Sequence, residues 1–159
     1  MARQTSKVSA AAGFSLIELM VTIVIAAILL AIAIPGYQTF IRKSRRTEAK
    51  TAVLDLAGRE ETLFSTTNAY SIAPAAVGYG AAGAFPFAVG NNYYTITVVV
   101  PNPAAVAGAG ASFLVTALPV AGSSQALDTA CQSFSVDQLG NQTALDSGGA
   151  DNTQTCWGN

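Results

Sequence analysis

The 159-residue chain is 51% hydrophobic and only 11% charged, with a mean hydropathy of +0.41. An ordinary soluble domain is about 25% charged, so the composition excludes a charged disordered chain and points to a membrane segment. Histidine is absent, which excludes Ser-His-Asp triads, Cys-His nucleophiles and His-ligated zinc or haem.

The first thirteen residues, 1–13, are polar and small, with Arg3 and Lys7 and no acid. Residues 14–34 (FSLIELMVTIVIAAILLAIAI) are almost wholly apolar and contain one charge, Glu18. At about 1.5 Å per helical residue they span about 30 Å, one hydrocarbon core. A secretory signal would be shorter and would end in a small-residue cleavage site. Here Pro35 and Gly36 follow, and helical patterning continues beyond them. The apolar run therefore reads as retained. Proline lacks an N–H and clashes with the preceding turn, so a break in the form of a kink or local melting is expected at Pro35-Gly36.

Beyond the break the pattern is amphipathic. Ala49, Ala52, Val53, Leu56, Leu63 and Phe64 recur mostly at three- and four-residue steps, and Asp55 and Arg59 form a favourable i,i+4 pair. One helix is predicted from about Phe14 to about Ser65, apolar all round over 14–35 and one-faced over 36–66. Residues 67–92 are rich in Ala, Gly, Asn and Pro and read as loop. Tyr93–Val100 is β-branched and aromatic, a strand ended by Pro101-Asn102-Pro103. Gly108 and Gly110 mark a connection. Ser112–Leu118 and the alternating Ser133–Gln138 read as further strands, the latter followed by a Leu139-Gly140-Asn141 turn. Three or four short antiparallel strands would cover the apolar helix face, an α+β architecture. The acids at 128, 137, 146 and 151 read as solvated turn residues, and their spacing fits no EF-hand loop.

Cys131 and Cys156 are either buried thiols or a bridge. Both lie in a Gly/Asn/Asp-rich tail with little core of its own, which favours the disulfide and an oxidising compartment. Two cysteines cannot supply an all-cysteine tetrahedral metal site. All eight cations lie at or before Arg59, and from Glu60 onward the only charges are Glu60, Glu61, Asp128, Asp137, Asp146 and Asp151. A surface without cations cannot neutralise phosphates, so no nucleic acid is expected to bind through the C-terminal head.

Gly13-Phe14-Ser15-Leu16-Ile17-Glu18 resembles the prepilin processing motif of type IV pilins and type II secretion pseudopilins. The resemblance continues at Ala33–Tyr37, the basic cluster Arg42–Ala49, Asn92–Ile96, Asp128–Cys131, Val136–Gly140 and Cys156-Trp157. It is similar above all to type IVa minor pilins of the PilE subgroup. The resemblance implies a pilin fold, with a long N-terminal helix on a small antiparallel sheet. It implies a leader at 1–13, cleavage between Gly13 and Phe14 by a prepilin peptidase, and N-methylation of Phe14 by the same enzyme. Glu18 would meet the freed Phe14 amine during assembly and set subunit register. The implied partners are other pilin subunits, the peptidase/methyltransferase, an inner-membrane assembly platform and membrane lipid. The precursor would sit in the bacterial inner membrane with residues 67–159 periplasmic, then pass to the pilus at the cell surface. A count of flanking cations alone would put that head inside; the processing motif and cysteine pair put it outside. Such a subunit needs no catalytic residue, metal or cofactor. Two alternatives share parts of this pattern. A type II secretion pseudopilin has the same helix and processing. A bitopic membrane enzyme or receptor would need a nucleophile–base constellation, which the sequence lacks.

Overall fold

The computed structural model describes residues 13–79, 83–101 and 111–158. The expected leader up to residue 12, with Arg3 and Lys7, lies outside the described residues, as do Asn102, Pro103, Gly108 and Gly110. By its contacts the chain forms two compact units, residues 1–39 and 40–159.

A 52-residue helix, α1 (Leu16–Thr67), contributes to both units. In the first unit its residues are exposed throughout, and an 18-residue window reaches a mean hydropathy of 2.9. That segment is long and apolar enough to cross a membrane. The expected break at Pro35-Gly36 does not appear as melting: α1 remains helical across both residues. Proline removes one backbone bond there while the turns on either side keep theirs. Thr39 Oγ1 donates to the Pro35 carbonyl at 3.0 Å.

In the second unit α1 turns one face inward. Ala49, Val53, Leu56, Ala57 and Glu60 are buried, at the three- and four-residue steps that place side chains on one side of a helix. The helix ends where Asn68 adopts a left-handed backbone (φ 56°) and its N–H bonds to the Phe64 carbonyl at 2.8 Å. Asparagine tolerates that conformation, which continuing helix does not use.

The sheet is a five-stranded antiparallel meander in sequence order: β1 (Phe87–Val89), β2 (Tyr94–Val99), β3 (Leu114–Pro119), β4 (Ser133–Asp137) and β5 (Gln142–Leu145). Alternation sends Tyr94, Ile96 and Val98, Val115 and Ala117, Phe134 and Val136, and Ala144 into one core with the buried face of α1. The register aligns these layers, with Ile96 opposite Ala117, Ala117 opposite Phe134, and Phe134 opposite Ala144. With its two edge strands, β1 and β5, the sheet has more than the three or four strands expected. β1 lies inside the stretch read as loop, which also holds a 3₁₀ turn at Pro74–Val77. Phe87-Ala88-Val89 and Gln142-Thr143-Ala144-Leu145 are too short and Ala-containing to announce themselves; pairing with β2 and β4 makes them strands. A final helical turn, α2 (Thr153–Trp157), packs beside β5.

Candidate functional site

At the start of α1, Ser15 accepts the Glu18 N–H on both its carbonyl (3.1 Å) and its hydroxyl (3.4 Å). Ser15-Leu16-Ile17-Glu18 has the spacing of a capping box, and Glu18 is the acid of the first turn, where the helix dipole favours negative charge. Around and beyond it runs an apolar cylinder. Phe14, Leu16, Ile17, Ile23, Leu29 and Ile32 are all more than 60% exposed. Nothing in the described residues covers this surface. Such an area requires lipid or other helices. Gly13 and Phe14 precede the helix and are exposed.

In the second unit, the three arginines of the basic cluster are bound to the head. Arg42 Nη1 donates to the Leu127 carbonyl at 3.2 Å, and Gln125 Nε2 donates back to the Arg42 carbonyl at 3.2 Å. Arg45 donates to Ser124 Oγ (2.6 Å) and the Tyr93 hydroxyl (2.7 Å), with its guanidinium carbon 3.5 Å from the Tyr93 ring centre. Arg46 grips Asp128 through two parallel 2.7 Å bonds, with both side chains at most 12% exposed. This fork geometry belongs to guanidinium and carboxylate. Asp128 was expected as a solvated turn residue; it is buried, because the 3₁₀ turn Ser124–Leu127 folds it under α1. No local signal pairs residues 82 positions apart, and Gln125 was missed for the same reason. Asp137 ends β4, Asp146 directly follows β5, and Asp151 bridges back to Leu145. They accept N–H bonds from Leu139 and Asn141, Gly148 and Ala150, and Thr153 respectively. Hydrogen bonds from Asn141 and Thr153 hold Asp137 and Asp151 below the usual carboxylate range.

Cys131 and Cys156 are joined in a disulfide. The bridge ties α2 to the segment before β4. Trp157 then packs edge-on against Phe134, with centroids 5.8 Å apart, and donates from Nε1 to the Thr143 carbonyl at 2.8 Å. Further along α1, Asp55 takes 2.6 and 2.8 Å bonds from Tyr79 and Arg59. Burial alone would push its carboxyl up; those two bonds outweigh it and hold it low. No group of His, Cys, Asp or Glu able to hold a metal occurs among the described residues.

The exposed apolar helix, the processing motif at its start and the disulfide-closed head define a pilin-like protein. A family profile described as "Type IV minor pilin ComP, DNA uptake sequence receptor" matches residues 35–135, and one described as "Prokaryotic N-terminal methylation motif" matches residues 8–34. The chain belongs to the first of these, a family of type IV minor pilins. Within the pilin class expected from the motif, the matching subgroup is thus the ComP one. Two curated relatives are similar over shorter stretches. The "Type IV major pilin protein PilA" of Myxococcus xanthus (strain DK1622) is 44% identical over 59 residues, 37% of this chain and 27% of the relative. The "Fimbrial protein EcpC" of Eikenella corrodens is 47% identical over 49 residues, 31% of this chain and 29% of the relative. The chain thus aligns with less than a third of the length of either. The motif and the apolar helix fit a membrane-anchored precursor that passes into a pilus.

Proposed function

We propose that this chain is a structural subunit of a type IV pilus that performs no catalysis itself. It is made as an inner-membrane precursor with its head periplasmic. A prepilin peptidase cuts between Gly13 and Phe14, and the new Phe14 amine is methylated. An assembly platform then moves the subunit from lipid into the filament, where residues 14–35 pack among the helices of other pilins. The observation that carries this reading is the apolar cylinder interrupted only by Glu18. A carboxylate in hydrocarbon costs roughly 2.5–3.5 kcal/mol even on the lenient insertion scale. Four residues from a freed amine, that cost becomes a register device: an incoming subunit that pairs the two charges loses the penalty, and one that misaligns retains it. The expected result is that Glu18→Ala is processed normally, giving the mass of residues 14–159 plus one methyl group, yet is depleted from sheared pili at least tenfold. Normal recovery of Glu18→Ala in pili would reject the register role. An uncut Met1 in the filament fraction would reject the processing.

The family description favours a second reading, reception of DNA. Against it stands the charge layout. From residue 60 to the end there is no cation, and Arg46 and Arg59 are each paired with an acid of the same chain. A duplex tracked along its backbone needs several phosphate contacts. We infer that this member does not hold DNA through its head.

A further inference from the structure

We propose that the head carries a binding site for a single phosphate group in the cleft between α1 and α2, with Lys43 and Lys50 as its ligating cations. The cleft has a volume of about 310 Å³ and is lined by Lys43, Arg46, Thr47, Lys50, Thr155 and the chain at Cys156 and Gly158. Residues 43, 46, 47 and 50 fall on one stripe of α1 by helical spacing. Among the described residues no Asp or Glu side chain lines it. Arg46 spends both its parallel bonds on Asp128. Lys43 and Lys50 form no ion pair among the described residues. Among the described residues Lys50 Nζ donates to the Trp157 carbonyl, at 3.3 Å, and lies 5.9 Å from that ring's centre. A neutral carbonyl leaves an ammonium's charge unmet. Burial and the neighbouring Arg46 charge accordingly hold the Lys50 amine below the usual lysine range. The cleft is thus a positive concavity with two hydroxyl-bearing side chains, Thr47 and Thr155, and the disulfide at Cys156 fixes its far wall.

A small tetrahedral oxyanion suits this set of donors. It accepts from ammonium and hydroxyl donors and cancels the local charge. A duplex does not fit so well, because two unpaired lysines in a cleft supply too few contacts for a backbone track. Free phosphate and a phospholipid head group offer the same chemistry. The lipid is the more concentrated source for a chain anchored by its own apolar helix. This inference does not depend on pilus incorporation.

Trp157 is the only tryptophan of the chain, so its emission reports on the cleft without a label. The full mature chain, in uncharged maltoside micelles, would be titrated with inorganic phosphate. In separate samples the micelles would be doped with phosphatidylglycerol, or with uncharged diacylglycerol as control. The expected result is a saturable change in Trp157 emission with phosphate in the millimolar range, and with phosphatidylglycerol at a few molecules per micelle. Matched chloride and diacylglycerol should have no effect. A response to lipid alone assigns the site to head groups, and one to phosphate alone assigns it to the free anion. Lys43→Gln with Lys50→Gln should weaken binding at least tenfold while leaving the unfolding midpoint within a few degrees, and Lys50→Arg should restore most of it. No saturable response to either ligand, or an undiminished response in the double glutamine variant, overturns the proposal. So does a response to a duplex oligonucleotide at concentrations a hundredfold below phosphate.

Discussion

Glu60 is a buried acid whose Oε2 accepts the Ser71 N–H at 3.0 Å, while Oε1 is buried without a hydrogen-bond partner among the described residues. Burial raises its carboxyl above the usual range, and the nearby Glu61 adds to this, against the smaller opposing effect of the Ser71 bond. A raised folded-state value means that its contribution is fully present below the ordinary glutamate range and is lost as pH rises through the folded value. Glu60→Gln keeps an acceptor for Ser71 and removes the charge. We expect it to stabilise the head by about 1 kcal/mol at pH 7, with the gain vanishing below about pH 4. Denaturation midpoints of both proteins at the two pH values would check this; an equal effect at both would place the cause outside ionisation. Asp55 has the opposite sign. Its lowered value gives stability that is present above the unfolded range and lost as pH falls through the folded one. The period of Ala49, Val53 and Leu56 identifies the inward face in the sequence, but it does not tell that Glu60 turns onto that face while its neighbour Arg59 is spent on Asp55.

At the scale of elements, the 3₁₀ turn Ser124–Leu127 and α2 are held by side chains rather than by sheet pairing. Asp128 and Gln125 lock the turn to α1, and the Cys131–Cys156 bridge locks α2. Removing one member of a buried pair leaves the other charged and alone, so Asp128→Ala should cost about 3 kcal/mol. Arg46→Met with Asp128→Leu should recover much of that loss, as urea unfolding would show. The bridge closes a loop across 25 positions; opening it by Cys131→Ser with Cys156→Ser should cost about 3 kcal/mol in the chain-entropy account, read as a drop in unfolding midpoint that added reductant reproduces in the parent chain. The long helix, the β2 and β3 strands and the bridge were legible because each has a local signature: unbroken apolarity, β-branched runs, two cysteines in a coreless tail. β1, the turn at 124–127 and the Arg46–Asp128 fork were not. They exist through partners far away in the chain, and Phe87-Ala88-Val89 by itself is equally compatible with a loop.

Across the whole molecule, the charge layout separates the readings of function. The cations of the head are confined to α1, and the sheet and its loops carry acids alone. A receptor for DNA would show steep salt-dependent affinity; this chain should show none at physiological salt, and fluorescence anisotropy with a labelled duplex would test it. A log–log salt slope of several units would return the chain to the receptor role that its family description names. The absence of histidine and the exposed apolar cylinder were readable at the outset and survive in the structure, since both are properties of composition. The phosphate cleft was not readable, because Lys50 meets Trp157 only after 107 residues of intervening chain have folded.

The meander has a bearing on the order in which the head is built. Each strand's neighbour in space is also its neighbour in sequence, so every strand, taken from the amino end, extends an edge that the chain before it supplies: β2 on β1, then β3, β4 and β5. No connection need cross another strand. Cys156 follows all five strands in the chain, and with two cysteines in all its bridge to Cys131 has a single possible pairing, which closes the end of the chain onto the finished sheet.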